Sequence, residues 1–360
     1  VSNNAATITA QPLGKIIIMY GGKGGAGKTT SSYELAVALV RAGFRVLLVD
    51  LDGGQASLSA KVGIDVTQLK YGLYEAIKDL EKAAGSGILR TTHGRKEVWE
   101  KVRPSIRLLA GEGFEAREGR LAILANNMRL AALEYEWVNA TQREMGLKRF
   151  LGYFSPRFDF TIVDCPANRG ILTVNALVAG DYLAMPIETS SIGFHGATSM
   201  LGHPEDLFLP RITGRSWVEE MGRLGINPES WNSQTDFKVV EAGTGKEGDN
   251  GEEDWVMADT TAALNPNLRI SAVIPSRYDK ELADNRLVLE KLTRIFGLNS
   301  LDGYQPPGLL MPSIPYSGIY QTSFRQKKTA QELRGHHKGV WDYIASQHIK
   351  LAKGVQVQGE

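Results

Sequence analysis

Residues 21–30 read Gly-Gly-Lys-Gly-Gly-Ala-Gly-Lys-Thr-Thr, and no other stretch restricts the fold as strongly. So many glycines weaken either regular element and suit a loop whose backbone must adopt unusual angles or approach a ligand closely. Directly before it, Ile16-Ile17-Ile18-Met19-Tyr20 is an apolar run with the character of a buried strand. Directly after it, residues 31–42 carry Leu35, Ala36, Leu39 and Val40 at helical spacing. Strand, glycine loop and helix are the context a phosphate-binding loop needs, and Gly22, Gly27, Lys28 and Thr29 fill G-x-x-x-x-G-K-[ST]. A glycine-rich turn with a chance Gly-Lys-Thr is the alternative, and the flanking elements disfavour it.

The residue types explain the chemistry. Gly24, Gly25, Ala26, Gly27 and Thr30 leave backbone N–H groups free to converge on phosphate oxygens at a helix start. Lys28 is expected at the β- and γ-phosphates of ATP as a point charge, and the Thr29 hydroxyl on Mg²⁺. Two acids stand where such a site needs them. Residues 45–50 read as a strand ending in Asp50-Leu51-Asp52-Gly53-Gly54-Gln55, and residues 158–164 as a strand ending in Asp164. An acid at the carboxyl end of an apolar strand suits a water-bridged Mg²⁺ contact, the role assigned to Asp164.

Lys23 inside the loop is a solvated charge on the plainest reading. The run Lys23-Gly24-Gly25-Ala26-Gly27-Lys28-Thr29-Thr30, however, resembles the deviant Walker A motif of the ParA/MinD ATPase family, nearest to its ParA/Soj-type partition members. In that family the early lysine reaches the partner's phosphates across a nucleotide-sandwiched dimer. The resemblance therefore implies an ATP-dependent homodimer, with Lys23 and Lys28 as catalytic cations. Residues 50–55 resemble switch I, which implies that Asp52 positions the attacking water or a magnesium-bound water. An Asp-Gly turn is the alternative there, and Gly53-Gly54 replaces the family's single proline. Asp164 to Gly170 resembles switch II. Residues 309–315 resemble the last strand and the loop over the adenine, which assigns Pro312 and Pro315 to the nucleotide.

Residues 73–84 are expected to be helical, 105–110 a strand, and 117–151 an outer helix packed on the sheet through Leu121, Leu124, Met128, Leu133 and Trp137. Further strands are expected at 181–186 and 265–274, with a helix reaching about 296. Resemblance lapses between about 203 and 262, an insertion whose acidic glycine-rich run at 243–254 suits a mobile surface loop. Residues 1–13 and 351–360 read as tails around one domain, 14–350.

With 42% apolar and 22% charged residues the chain has a globular composition, and its net charge of +1 argues against coating by nucleic acid over the whole surface. Cys165 is the sole cysteine, so no intramolecular disulfide forms, and the iron–sulfur cluster of nitrogenase iron protein, which needs two cysteines per subunit, is ruled out. No run approaches the roughly 20 apolar residues of a membrane span. Arg325, Lys327, Lys328 and Arg334 form a basic run, either a solvated face or a non-specific DNA contact that Arg277, Arg286 and Arg294 join.

These readings converge on a doubly wound, mostly parallel α/β fold. They imply a cytoplasmic, nucleoid-associated ParA-type ATPase using ATP and Mg²⁺. It would bind DNA non-specifically, with slow hydrolysis stimulated by a ParB-like or other adaptor, and drive partition of a plasmid or chromosome or position another cargo. The alternatives are a MinD-like membrane-associated positioning ATPase and a ligase-type metabolic enzyme on the same fold. The weakly amphipathic stretch 340–351 is expected to pack on the domain rather than on lipid.

Overall fold

Aliphatic runs too short for helices and apolar on both sides become the inner strands of a parallel sheet, because helices must cover both faces. The computed structural model describes residues 14–109, 119–154, 157–194, 208–215, 263–296, 310–326, 328–333 and 337–354. Its strands are β1 (Lys15–Met19), β2 (Arg45–Asp50), β3 (Ile106–Leu108), β4 (Arg120–Leu124), β5 (Phe160–Asp164), β6 (Tyr182–Glu188) and β7 (Arg269–Ser276). They pair in the order β3-β4-β2-β5-β1-β6-β7. Only β3 runs antiparallel to its neighbour.

Alternate residues of each strand feed two cores. Ile16, Ile18, Leu47, Val49 and Val163 face one layer, formed by α3 (Leu73–Ser86), α4 (Thr92–Val102), α5 (Ala131–Val138), α6 (Gly146–Phe154) and α7 (Ile171–Ala179). Ile17, Met19, Val46, Leu48 and Ile162 face the other. That layer holds α1 (Lys28–Arg41), α2 (Ser57–Lys61) and α12 (Lys338–Ala352). The remaining described helices are α8 (Phe208–Thr213), α9 (Ala283–Phe296), α10 (Gly318–Gln326) and α11 (Ala330–Leu333).

Two expectations are corrected. The outer helix over 117–151 does not form as one element: residues 120–124 are β4, with Leu121, Ala122, Ile123 and Leu124 all buried. A short continuous apolar run satisfies helical spacing by accident, and its length is that of a strand. Met128 is in a left-handed turn with φ 66 and is exposed, while Leu133 and Trp137 do pack from a helix as expected. The second correction concerns the final strand: among the described residues, the stretch from Leu310 makes only isolated bridges, Leu310 with Val273 and Pro315 with Tyr278. The acidic run at 243–254 lies outside the described residues, as do Lys327 and Arg334.

A polar network is buried between α1, α2 and the C-terminal helices. Glu34 of α1 accepts from the Ala330 N–H at 2.5 Å and from Nε2 of Gln331 at 2.7 Å. Lys61, the last residue of α2, donates to Ser323 Oγ of α10 at 3.0 Å, with its ammonium 5.7 Å from the Tyr33 ring centre. Burial pushes the Glu34 carboxyl up and the Lys61 ammonium down, and the attraction between the two charges opposes both shifts.

Helix α12 closes the second layer, with Trp341, Ile344 and Ala345 buried against it. No helix among the described residues is long and apolar enough to cross a membrane. Trp341→Ala should lower stability by about 3–5 kcal/mol through lost burial and an unfilled cavity. Urea unfolding of the two proteins checks this; an unchanged midpoint would mean that α12 is not part of the core.

Candidate nucleotide site

Strand β1 ends at Met19 and the chain enters the loop over β6, where Gly21 passes so close that a Cβ would lie 2.4 Å from the Pro186 carbonyl oxygen. Gly25 and Gly27 have φ of 80 and 89, a left-handed conformation that a side chain would strain. Gly27 is the N-cap of α1 and no side chain caps that helix. Its first-turn N–H groups therefore open into the loop, which suits an anion. Ser276 Oγ at the end of β7 donates to the Ala26 carbonyl at 2.7 Å and pins the loop from the other side.

Lys28 is buried, and its ammonium donates to the Lys23 carbonyl at 3.0 Å. Burial lowers its pKa, while the charges of Asp164, Cys165 and Asp52 pull it back up. Register places Asp50 of β2 directly beside Asp164 of β5. Both carboxylates are fully buried, and burial raises their pKa values, Asp50 to about 6 and Asp164 to about 7, with Asp50 adding repulsion at Asp164. Their partners differ. Asp50 accepts from the Ser59 N–H at 2.8 Å and the Ser59 hydroxyl at 2.6 Å. Asp164 accepts from Ser32 Oγ at 3.2 Å through Oδ1, and Oδ2 has no hydrogen-bond partner.

The orphaned Asp164 oxygen is the feature that fits a cation. Thr29 and Ser32 both act on Asp164, and Lys28 is close enough to lower its pKa. Among the described residues no three His, Cys, Asp or Glu side chains gather into a protein-only metal site. Mg²⁺ is suited by such a place, since it keeps several waters and takes phosphate oxygens with one or two protein ligands.

Asp52 is half-buried and held by its loop: its N–H donates to Asp50 Oδ1 at 3.3 Å and its Oδ1 accepts from Gly54 N–H at 3.2 Å. The Asp52 carbonyl accepts from Asn126 Nδ2 at 2.5 Å. Gly53 passes against α5, where a Cβ would lie 3.0 Å from the Ala131 nitrogen, a tight contact, whereas Gly54 has room for a side chain. Cys165 is buried and its thiol is pushed well up, first by burial and then by Asp164, which leaves it unreactive.

Outside the buried centre, Lys23 Nζ donates to Glu188 Oε2 at 2.5 Å. Glu188, the last residue of β6, also holds Arg277 NH1 at 3.3 Å. Arg277 has φ 57, lies next to Gly25 and carries its guanidinium 5.6 Å from the Tyr316 ring centre. It therefore sits at the phosphate loop. Of the other basic residues, Arg325 and Lys328 are exposed and Arg286 donates to the Lys280 and Glu281 carbonyls. The Arg294 side chain lies outside the described residues. Pro312 and Pro315 are exposed, on a stretch tied to β7 by Met311 N–H to Val273 O at 2.8 Å and Ile314 N–H to Pro275 O at 2.7 Å.

Sequence reasoning missed Glu188, Asn126 and Ser276. A Glu at the end of a strand parallel to the first was the available signal for Glu188. Asn126 was hidden by the helical reading of its stretch, and Ser276 carries no local pattern.

Residues 14–207 match the protein family described as AAA domain. The sporulation initiation inhibitor protein Soj of Bacillus subtilis is 31% identical over 189 residues, 52% of this chain and 64% of that protein. The chromosome partitioning protein ParA of Myxococcus xanthus is 31% identical over 195 residues, 54% of this chain and 59% of that one. The match thus spans about three fifths of these curated relatives. In fold, apo McdA of Cyanothece superposes with a TM-score of 0.59 at 18% identity, covering 93% of this chain and 99% of that one. Cobyrinic acid a,c-diamide synthase of Mycobacterium smegmatis, with bound ADP and magnesium, gives 0.54 at 20% identity over 94% and 95%. The lysine-bearing phosphate loop, the paired strand-end acids and these matches lead to one conclusion: the chain belongs to the AAA-domain family of ParA/MinD-type ATPases.

Proposed function

We propose that this chain is a ParA-type ATPase whose 14–350 domain, with an insertion at about 203–262, binds Mg·ATP in a sandwich between two copies. In this reading it binds DNA non-specifically while dimeric and is released when an adaptor protein stimulates slow hydrolysis. The outcome is partition of plasmid or chromosomal DNA, or positioning of another cargo. The observation that carries it is Lys23, a second cation inside the phosphate loop, held at the surface by Glu188 instead of turned into its own loop. In the dimer Lys23 exchanges Glu188 for the partner copy's phosphates.

The roles follow from the site. The N–H groups of residues 24–30 and Lys28 hold the phosphates. Thr29 and Asp164, with Asp52 beside them on the neighbouring loop, would hold Mg²⁺. When bound, Mg²⁺ would supply positive charge to the phosphates. Asp52 orients the attacking water, and Lys28 and the partner copy's Lys23 stabilise the transition state. Pro312 and Pro315 flank the base. Arg277 is proposed to meet phosphate, and Arg286, Arg294, Arg325, Lys327, Lys328 and Arg334 to supply DNA contacts.

Binding of a labelled duplex with ATP, ADP or no nucleotide tests this reading, repeated for Lys23→Ala. ATP-dependent, salt-sensitive binding that the variant loses is expected. ATP-dependent dimerisation without DNA binding in any state would sink it.

Glu188→Gln releases Lys23 without removing it. A partly exposed pair of this kind contributes about 1 kcal/mol, so ATP-dependent dimerisation should occur at roughly 3- to 10-fold lower protein concentration. Sedimentation velocity with ATP measures it, and a shift to weaker dimerisation would assign Glu188 to the dimer instead of to a competing contact.

The raised carboxylates give a pH signature. Below pH 3.8 Asp164 is protonated in folded and unfolded chains alike, and between there and about pH 7 only the folded chain keeps the proton. Stability without nucleotide should therefore fall as pH rises through that window, by on the order of 2–4 kcal/mol. Asp164→Asn should remove the Asp164 share of this slope, leave the share of Asp50, whose carboxyl stands at about 6, and raise the melting temperature at pH 8, while weakening Mg²⁺-dependent nucleotide binding. Thermal melts across pH check the first part. Calorimetry in buffers of different ionisation enthalpy should show proton release when Mg·ATP binds near pH 6.5.

A further inference from the structure

On the layer carrying α3 to α7, α4 and α6 form a cleft of about 420 Å³ that the nucleotide site does not use. Thr92, Arg95, Lys96 and Trp99 line it from one face of α4, and Tyr153 and Arg157 from the other wall. Arg95, Lys96 and Arg157 are exposed, and among the described residues none of the three forms an ion pair with a carboxylate. Nearby cations do: Lys101 pairs with Asp79 at 2.8 Å and Arg103 with Glu100 at 3.6 Å.

The cleft holds its charge in fixed positions. The Arg157 guanidinium carbon lies 3.9 Å from the Trp99 ring centre and 5.4 Å from that of Tyr153. Arg95 is oriented by the Leu89 carbonyl at 3.0 Å and Thr92 Oγ1 at 3.4 Å, and its own carbonyl accepts from the Tyr153 hydroxyl. Around it, residues 88–103 carry five Lys and Arg against two Glu, and residues 143–157 four against one, in a chain whose net charge is +1. Nine cations against three carboxylates on these two stretches would repel one another, so a polyanion gains by neutralising them.

We propose that this cleft is a contact for the phosphate backbone of double-stranded DNA, additional to the C-terminal basic run. The inference rests on the DNA-binding reading given above. Two observations favour a nucleic acid over an acidic protein segment. Protein interfaces are anchored by aromatic and aliphatic side chains at their centres, yet no large apolar side chain of either stretch is exposed. The Trp99 ring is already covered by Arg157 and packs on Phe154 at 5.8 Å, so it is not free to anchor a partner's side chain. Helix α4 is about 16 Å long, and a duplex presents one charge per roughly 1.7 Å of its axis, so the face meets several phosphates at once.

The test is anisotropy of a labelled duplex of arbitrary sequence with the full chain, ATP and Mg²⁺, over a salt series. The chain carrying Arg95→Ala, Lys96→Ala and Arg157→Ala is compared with the wild type, and Lys96→Glu, a change at an exposed side chain, serves where the triple variant folds poorly. Expected are affinity at least about 10-fold weaker for the triple variant and a salt slope lower by about one per cation that meets a phosphate. ATP-dependent dimerisation should be unchanged. Wild-type binding with an unaltered slope in both variants overturns this site and leaves the DNA-binding reading standing. No duplex binding by the wild type overturns both. Binding of polyglutamate in preference to duplex, lost in Lys96→Glu, assigns the cleft to an acidic protein partner and also overturns it.

Discussion

Parallel pairing of β2 with β5 sets Asp50 and Asp164 side by side at the ends of two buried strands, and the nucleotide site depends on that adjacency. Two carboxylates cannot both ionise cheaply in a dry interior. Ser59 satisfies one with two donors, whereas the other keeps an oxygen with no partner. The two acids are therefore incompletely balanced, and among the described residues the buried Lys28 ammonium is the cation that acts on Asp164. Whatever completes the site must bring positive charge to Asp164 and negative charge to Lys28 and the open start of α1. A magnesium-bound polyphosphate does both at once, so nucleotide and ion are expected to bind as a unit.

Outside this centre the charges are arranged differently. Lys23, Glu188 and Arg277 form a row at the surface in which one carboxylate serves two cations. Such a pair is weak enough to be exchanged and specific enough to hold Lys23 away from its own loop's interior, where Lys28 already fills the space. In the proposed dimer, a lysine that neutralises a second molecule's phosphates must be available without collapsing onto the first. Glu188 supplies that separation through a contact 165 residues away in the chain.

The central elements were legible because their signals are local. The loop's glycines, Lys28 and the strand-end acids each announce themselves within a few residues, and β1, β2, β5 and β6 fall where apolar runs end in polar ones. What was not legible depended on distance or on coincidence. Leu121 and Leu124 stand three apart, as on a helix face, yet they belong to a five-residue strand. Arg277 reads as one more surface arginine until the sheet brings the end of β7 beside Gly25. Gly53 stands where the family has a proline, and only the fold shows how tightly it approaches Ala131. In each case the decisive neighbour comes from another part of the chain.

Lys61 ends the short helix that follows the Asp52 loop, and its ammonium is anchored on α10, the helix that ends beside Arg325. A buried ammonium that loses its acceptor is costly. Helix α2 is thus unable to swing without either uncovering that charge or drawing α10 along with it.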